Sequence, residues 1–300
     1  MNSPVNEPAI QVEGVTRQFF RKRALDDVSM TVPKGCVFGL LGENGAGKTT
    51  LIRHILGAFK AKTGQVRVLG QNPVTNPVDV LGNVGYLSEE REMPTWMRIA
   101  ELLRFTEAFY PNWDRAYAAE LMESFRLDPQ AKVRTLSRGE RAKTGLILAL
   151  AHRPDILVLD EPSSGLDVIV RQDILAAIVR TVADEGRTVF FSSHLIDEVE
   201  RVSDHIAIMA NGRVLVSDTL DQIKEDHSRL TIQYKKPLPE APSIEGAFSC
   251  QGQGREWTVI CNGQRQKVLA HVLESQAEVV DESQPSLEEI FVARAKAETR

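Results

Sequence analysis

Apolar residues in the first third of the chain follow the short period that is typical of β-strands. Alternating or continuous apolar runs bounded by turn residues occur at 10–15, 25–32, 36–41, 65–70 and 83–87. A helical composition covers 48–56 and stops at Gly57, a residue type that commonly caps the carboxyl end of a helix. The pattern therefore predicts a strand-rich amino-terminal region with one early helix.

From Thr95 onwards, the apolar period lengthens to the three- and four-residue spacing of amphipathic helices. One series consists of Ile99, Leu102, Leu103, Thr106 and Tyr110, and a second consists of Tyr117, Leu121 and Phe125. A further helix is predicted to begin at Ser137. Together these patterns predict a helical insertion at about 90–150 within a domain that is otherwise rich in strands.

After the insertion, strands and helices alternate along the chain. The pattern predicts nearly continuous apolar strands at 156–160, 188–193 and 205–209 and helices around Leu175 and Val199. This order is typical of an α/β fold with a parallel sheet covered on both faces. Asn211 and Gly212 then indicate a tight hairpin turn.

The composition changes near residue 228. The segment 234–246 is rich in proline and charge, which is typical of a linker or a sheet edge. The surrounding pattern predicts strands at 231–234, 247–250, 256–261 and 277–281 and helices at 265–275 and from Ser286. We therefore expect a large domain at 1–228 and a small α+β accessory domain at 229–300.

Composition and charge narrow the possible partners. The net charge is −5 and the lysines are dispersed, which argues against a nucleic-acid partner because duplex binding needs a basic surface. No apolar run approaches the roughly 20 residues that span a bilayer. The amino terminus lacks the basic and apolar segments of a secretory signal, and the three cysteines lack metal-ligand spacing. These features favour a cytoplasmic location.

The segment GENGAGKTT at 42–50 follows an apolar strand and opens a helix. Glycines at 42, 45 and 47 let backbone amides turn towards phosphate oxygens, and the helix amino terminus adds partial positive charge. Lys48 can reach the terminal phosphates, and the Thr49 hydroxyl can bind magnesium. The predicted phosphate-binding residues are Gly42, Glu43, Asn44, Gly45, Ala46, Gly47, Lys48, Thr49 and Thr50.

The segment ILVLDEP at 156–162 places two acids at the end of a buried strand. In a doubly wound sheet this end lies beside the phosphate-binding loop. Asp160 is predicted to hold magnesium. Because neighbouring residues of a strand point in opposite directions, Glu161 is predicted to face a water in line with the terminal phosphate.

The segment RTLSRGERAK at 134–143 contains a capping box, in which Ser137 and Glu140 satisfy amides at a helix start. Gly139 lies in the first turn of that helix, where glycine costs up to about 1 kcal/mol relative to alanine. A helix with a purely structural role has little reason to place a glycine there. The segment SLEE at 286–289 has the same box without a glycine.

The order of these segments resembles that of ATP-binding cassette ATPases. LSRGE lies about twenty residues before LVLDEP, which is followed by SSGLD at 163–167 and by FFSSH ending at His194. The resemblance covers residues 10–226. It implies a P-loop NTPase fold with an antiparallel β subdomain and a helical insertion, and it implies ATP and Mg²⁺ as cofactors. It also implies a head-to-tail pair of ATPase subunits, identical or closely related, and an integral membrane permease as partner.

The resemblance also implies roles for single residues. In the family, LSRGE corresponds to a signature that binds the ATP of the opposite subunit, which assigns this role to Ser137, Gly139 and Glu140. A side chain at 139 would then hinder the partner's γ-phosphate. Phe19 matches the aromatic residue that stacks on adenine, although Phe20 lies beside it.

Further positions match the family in the same way. His194 matches the switch histidine that bridges the catalytic glutamate and the γ-phosphate, and Asp167 matches a loop that crosses the subunit interface. The catalytic residues would then be Glu161, His194 and Lys48.

Two positions depart from the family pattern. Glu89 stands where the family usually has a glutamine that senses the metal, the attacking water and the membrane partner. A carboxylate can ligate magnesium but cannot donate a hydrogen bond when ionised. Arg138 replaces the first glycine of the signature, and it either pairs with a phosphate or the partner loop or faces solvent.

The resemblance implies ATP hydrolysis that drives a membrane subunit from the inner face of the cell membrane. The tail SLEEIFVARA and Glu89 are similar to the exporter branch, whose separate ATPase polypeptides serve the export of drugs, peptides or lipids. Two alternatives stay open at this point. One is an ATPase of translation or DNA maintenance, and the other is a regulatory ATP-binding module with impaired turnover.

Overall fold

A computed structural model describes residues 7–20, 22–183 and 186–298. The chain forms two compact units, Met1–Val214 and Leu215–Arg300. This division lies earlier in the chain than the predicted domain boundary near residue 228. The second unit begins within strand β9 (Arg213–Thr219) and includes helix α8 (Leu220–Asp226), which the sequence pattern did not predict.

The first unit contains a three-stranded antiparallel sheet. It consists of β1 (Ile10–Phe19), β2 (Lys22–Val32) and β4 (Thr63–Val68), with β1 in the centre. Apolar residues on its strands, such as Val12 and Val28, are buried. This sheet is the antiparallel β subdomain that the family resemblance implies.

A six-stranded sheet has the order β5-β6-β7-β3-β8-β9, and its first five strands in this order lie in the first unit. Its strands before β9 are β3 (Val37–Leu41), β5 (Val84–Leu87), β6 (Ile156–Asp160), β7 (Thr188–Ser193) and β8 (His205–Ala210). The pairs β5–β6, β6–β7, β7–β3 and β3–β8 are parallel. Between β8 and β9, Asn211 and Gly212 both have positive φ, as the predicted hairpin turn requires.

Parallel neighbours bring the ends of β3, β6 and β7 to one edge of this sheet. Leu41 pairs with Ser193, and Asp160 pairs with Ser192. Since β7 lies between β3 and β6, the residues that follow all three strands meet at this edge. Ligands of open α/β sheets bind at the carboxyl ends of strands.

Helices surround the central sheet of the first unit. They are α1 (Lys48–Ile55), α2 (Pro77–Gly82), α3 (Ile99–Glu107), α4 (Arg115–Ser124), α5 (Arg138–Leu150), α6 (Val168–Ala183) and α7 (Ile196–Val202). Helices α3, α4 and α5 form the predicted helical insertion. The short α2 begins with a proline and was not predicted from the apolar pattern.

The second unit contains a three-stranded antiparallel sheet in the order β11-β10-β12 and two helices besides α8. Its elements are β10 (His227–Leu238), β11 (Ala247–Asn262), β12 (Glu278–Ser283), α9 (Arg265–Glu274) and α10 (Leu287–Glu298). The two strands predicted at 247–250 and 256–261 are one continuous strand. Strand β10 continues to Leu238, into the segment 234–246 for which a linker or a sheet edge was predicted.

No helix in the described parts of the chain has the length and hydropathy needed to span a membrane.

Candidate functional site

The loop at 42–47 connects β3 to α1 and depends on glycine at defined positions. Gly45 and Gly47 have φ of +83° and +113°, which side chains rarely adopt. A Cβ on Gly42 would lie 2.5 Å from the carbonyl oxygen of Met209, and one on Gly47 would lie 2.4 Å from that of Ala24. The loop is therefore fixed by backbone conformation and by close packing.

Helix α1 begins without the groups that usually satisfy its first amides. Its amino-terminal cap is Gly47, which provides no side-chain hydrogen bond to the first amides, and the first turn contains no acid. Free amides and the positive end of the helix make this a favourable position for an anion. Asn44, Thr49 and Thr50 surround the same opening.

Lys48 lies at the centre of this arrangement and is buried. Its Nζ donates hydrogen bonds to the carbonyl oxygens of Gly42 (2.6 Å) and Glu43 (3.2 Å). It also forms an ion pair with Glu161 Oε1 at 2.9 Å. The second oxygen of Glu161 lies 2.7 Å from His194 Nδ1. The structure thus brings the three predicted catalytic residues into direct contact.

The position of Glu161 is fixed by its backbone as well as its side chain. The residue has φ of +48°, a conformation that is uncommon for a residue other than glycine. Its amide donates a hydrogen bond to Ser192 Oγ at 3.0 Å. Strained conformations of this kind concentrate at functional sites.

Asp160 is buried beside Glu161 and accepts a hydrogen bond from Ser192 Oγ at 2.7 Å. Burial raises the pKa of this carboxyl, and hydrogen bonds from the hydroxyls of Ser192 and Thr49 partly oppose that rise. A cation next to Asp160 would compensate its burial.

The donor set at this edge fits magnesium. Asp160 supplies a carboxylate and Thr49 a hydroxyl, which are the hard oxygen ligands that this ion prefers. Across residues 7–20, 22–183 and 186–298, no group of three or more Cys, His, Asp or Glu side chains is placed to hold a metal ion. Magnesium commonly binds to one or two carboxylates together with substrate phosphates, so it needs no larger protein cluster.

A cleft of about 500 Å³ opens over these residues. Its lining consists of Phe19, Lys22, Ala24, Asn44, Gly45, Gly47, Lys48, Thr49, Thr50, Glu89 and Glu161. Phe19 is about one third exposed and lies against Phe59, whereas Phe20 projects fully into solvent. The exposed Glu89 lines the cleft as well. Lys22 was not among the predicted residues, because a lone basic residue at a strand start gives no signal.

Ser137, Gly139, Glu140 and Asp167 do not line this cleft. Ser137 and Glu140 form the predicted capping box, with the Ser137 amide 2.8 Å from Glu140 Oε2 and the Glu140 amide 3.2 Å from Ser137 Oγ. Both side chains are exposed.

Packing within the same subunit requires a small residue at position 139. A Cβ at this position would lie 2.9 Å from Cγ2 of Val170 on helix α6. The direction in which a side chain would extend is therefore occupied by Val170. Gly139 therefore meets a packing requirement between α5 and α6, and its contact with a ligand stays a prediction.

Arg138 in the signature and Asp167 before helix α6 also have structural roles in their own chain. Asp167 Oδ1 accepts hydrogen bonds from the amides of Ile169 and Val170 at 3.0 Å, which caps the start of α6. A Cβ on Gly165 would lie 2.7 Å from Nη1 of Arg138, so the Arg138 guanidinium packs against this glycine. Arg138 thus contacts the loop of its own chain.

Sequence reasoning missed two charged residues that are buried behind the site, Arg91 and Glu198. Both contact the segment after Glu161. Each belongs to a charged or polar stretch whose pattern gives no sign of burial. Only their partners, which are distant in sequence, make the burial of these charges possible.

Comparisons with known proteins show which proteins this chain is similar to. A family model described as ABC transporter matches residues 25–164. The chain is 28% identical over 288 residues to the ABC transporter ATP-binding protein YtrB of Bacillus subtilis (strain 168), covering 95% of this chain and 97% of that protein. It is 30% identical over 218 residues to the bacitracin transport ATP-binding protein BcrA of Bacillus licheniformis, covering 72% and 71%.

A solved structure of the ATP binding subunit of an ABC transporter has the same fold. It superimposes with a TM-score of 0.67 and 27% sequence identity, over 72% of this chain and 92% of that one. The part of the present chain outside that match is of a size comparable to its second compact unit.

Proposed function

Because this chain belongs to the family of ABC transporter ATP-binding proteins, we propose that it powers an exporter through a site built on Lys48, Glu161 and His194. The family makes it an ATP-binding, ATP-hydrolysing subunit of a transporter. The observation that supports the proposed site is the direct contact of these three side chains beside the phosphate-binding loop.

In this proposal, the loop amides, the start of α1 and Lys48 bind the β- and γ-phosphates. Phosphate draws the Lys48 ammonium away from Glu161, because a multiply charged anion attracts it more strongly than one carboxylate does. Glu161 is then the general base that takes a proton from the attacking water. His194 keeps hold of the other oxygen of Glu161 and so orients the carboxylate.

Magnesium would be held by Thr49 and Asp160, with Glu89 close enough to the cleft to contribute. The ion would neutralise charge on the phosphate oxygens. Asp160 is kept in place for this role by Ser192, which also receives the amide of Glu161. One serine therefore fixes the relative positions of the two acids.

We further propose that each site is completed by a second ATPase subunit, identical or closely related. Ser137 and Glu140 are exposed and lie outside the cleft of their own chain, as expected for residues that contact the nucleotide of a partner. The hydroxyl and the first amides of α5 would face the partner's γ-phosphate. Asp167 would reach the same interface from the start of α6.

The proposed location is the cytoplasmic face of the cell membrane, where an integral permease holds the pair of ATPase subunits. Similarity to the bacitracin transport protein supports a drug or peptide as the cargo. The proposed direction is outward, and the proposed cargo is a drug, a peptide or a lipid. Purification of the chain from its native membrane with an intact permease would test the partner. ATP-driven accumulation of a fluorescent amphiphile in inside-out vesicles would test the direction, and accumulation only in right-side-out vesicles would exclude export.

The composite site is tested by mixing two inactive variants. Lys48→Ala removes the phosphate contact, and Ser137→Leu removes the hydroxyl and adds bulk at an exposed position. A mixed pair contains one site with an intact loop from one subunit and an intact signature from the other. We expect phosphate release to rise on equal mixing towards about a quarter of the wild-type rate, since about half of randomly formed pairs are mixed and one of two sites is restored in each.

Ser286→Leu is the matched control, because Ser286 opens α10 with the same capping box. It removes an equivalent cap without touching the proposed interface, so phosphate release should remain at the wild-type rate. No recovery on mixing, or equal loss of activity in Ser286→Leu, would contradict a site shared between subunits.

A further inference from the structure

The segment 162–164 directly follows Glu161 and is held from two sides by buried charges. Arg91 contacts its main chain, and Glu198 contacts the side chain of Ser163. Arg91 lies two residues after Glu89, and Glu198 lies four residues after His194. The residues after the proposed base are thus tied to two other parts of the same site.

Arg91 is 7% exposed, and one nitrogen of its guanidinium contacts two backbone carbonyls. This Nη2 donates hydrogen bonds to the carbonyl oxygens of Pro162 at 2.9 Å and Ser164 at 3.1 Å. A single nitrogen thus links the two ends of a three-residue segment. A lysine has a single ammonium on a flexible stem and cannot reproduce this rigid geometry.

The backbone at Arg91 is shaped to make this contact. The residue has φ of +49°, and its amide donates to the carbonyl oxygen and to Oγ of Ser88, both at 3.2 Å. A residue other than glycine in this conformation is unusual, and such strain concentrates at functional sites. Arg91 and Glu161 are two of the nine residues other than glycine that have positive φ in the described parts of the chain.

Electrostatics make the burial of Arg91 costly. Burial lowers the pKa of its guanidinium, the nearby Arg138 lowers it further, and Glu89 opposes both effects. An arginine nevertheless stays charged in a protein. A simple loop anchor could be built from apolar side chains, which often stabilise as well as a buried charge does.

Glu198 holds the opposite side of the segment. It accepts a hydrogen bond from Ser163 Oγ at 2.5 Å and forms an ion pair with Arg171 Nε at 3.1 Å. Residue 163 is therefore fixed through its side chain, and its two neighbours are fixed through their carbonyls. A shift of Arg91 would be transmitted along this segment to Glu161.

We propose that Arg91 is a positioning residue for ATP hydrolysis, which ties the loop that carries Glu89 to the residues that follow Glu161. It keeps the Glu161 carboxylate at a fixed place relative to Glu89 while contacting neither nucleotide nor water itself. The inference rests on the proposed roles of Glu161 and Glu89. It predicts that Arg91 affects the rate of turnover and leaves ATP affinity intact.

The test compares Arg91→Lys and Arg91→Ala with the wild-type chain. Small misplacements of a reacting group cost about tenfold to a hundredfold in rate. We expect kcat to fall by this amount while the dissociation constant for ATP, measured by titration calorimetry, changes less than about twofold. Ethylguanidinium at a non-denaturing concentration should restore part of the kcat of Arg91→Ala, because it can replace the missing donor. A residue that only stabilises the fold would show no such rescue in protein that is already folded.

Arg98→Lys is the matched control. Arg98 Nη1 donates to the Gln130 carbonyl oxygen at 2.7 Å, which is the same kind of contact in the neighbouring helical insertion. Its kcat should stay at the wild-type value. If the Arg91 variants do not fold, Ser88→Ala provides a milder change, since it removes only the hydroxyl that receives the Arg91 amide. It should lower kcat in the same way but to a smaller extent.

The outcomes distinguish a failure of the positioning role of Arg91 from a failure of the proposed role of Glu161. Unchanged kcat in folded Arg91 variants, or in Ser88→Ala where those variants do not fold, would overturn the positioning role. A fall in kcat matched by an equal loss of ATP affinity would overturn it as well. Glu161→Gln is measured alongside, and its full activity would instead overturn the proposed base.

Discussion

Each compact unit places a histidine against a charged side chain, and the two contacts differ in what they leave available. In the first unit, His194 Nδ1 lies 2.7 Å from Glu161 Oε2 and about one third of the His194 side chain is exposed. In the second unit, His227 is 2% exposed. Its Nδ1 donates to the Ile223 carbonyl oxygen at 2.6 Å, and its Nε2 accepts from Arg294 Nε at 3.0 Å.

The two histidines differ in the charge of their partners and in their exposure to solvent. The first histidine holds a carboxylate at the edge of a cleft, where phosphate and water can reach it. The second uses both ring nitrogens on protein groups and is closed off from solvent, so it contributes to stability alone. A contact between a histidine and a charged side chain therefore indicates a functional site where the pair borders a cleft. Four predictions test this contrast.

The largest effect is expected for Glu161→Gln. The amide keeps the shape of the side chain but cannot accept the proton of the attacking water. Turnover should fall by about a hundredfold to ten-thousandfold, the usual contribution of a general base. Phosphate release measures the rate, and size exclusion with ATP should show retained nucleotide and a stable dimer. Monomeric behaviour with undiminished hydrolysis would contradict the mechanism.

His194→Ala should have the next largest effect. It removes a hydrogen bond to a charged group, which is worth about 1.5–3 kcal/mol and corresponds to roughly a tenfold to hundredfold loss in rate. The variant should melt at a temperature close to that of the wild-type chain, since His194 is partly exposed. A loss of stability without a loss of rate would remove the contrast with His227.

His227→Ala should show the reverse pattern. It leaves the Arg294 guanidinium and the Ile223 carbonyl without this partner, which costs about 1–3 kcal/mol of unfolding free energy. Urea unfolding followed by fluorescence of Trp257, which is buried in the second unit, measures the loss. ATP turnover should be retained. Turnover that falls with wild-type stability would place His227 in the reaction.

The smallest effect is a pH dependence of the second unit. Burial lowers the pKa of His227 below its usual 6.5, and Arg294 lowers it further, while the Ile223 carbonyl and Asp226 oppose this. Above pH 6.5 both folded and unfolded histidine are neutral, so stability is complete. As the pH falls below 6.5, the unfolded chain binds a proton first and the free energy of unfolding decreases. His227→Ala should abolish this part of the slope, and an unchanged slope would contradict it.

Sequence patterns predicted the parts of the fold whose residues are constrained locally. The buried parallel strands consist of continuous apolar runs, and the loop at 42–50 needs glycines at fixed spacing, so both are visible without a structure. The short helices α2 and α8 were not predicted, because their six or seven residues give too little apolar periodicity. The continuity of β11 was not predicted, because glycines at 252 and 254 interrupt its apolar pattern.

The candidate site divides in the same way. Lys48 and Glu161 could be identified from motifs, although their ion pair could not, because it depends on how β3 and β6 flank β7. Arg91 and Glu198 lie in polar stretches and are buried only through partners about seventy and thirty-five residues away. Such contacts follow from the fold and leave no local pattern.

The fit of Gly139 against Val170 bears on how relatives of this chain should be interpreted. A glycine needed to seat one helix on another will persist even in a copy that has ceased to hydrolyse ATP, because its loss would damage the protomer itself. Within its own protomer the exposed Ser137 forms a helix cap, which threonine or aspartate could also supply. Among related copies, the presence of Ser137 is therefore a better indicator of ATP hydrolysis than the presence of Gly139.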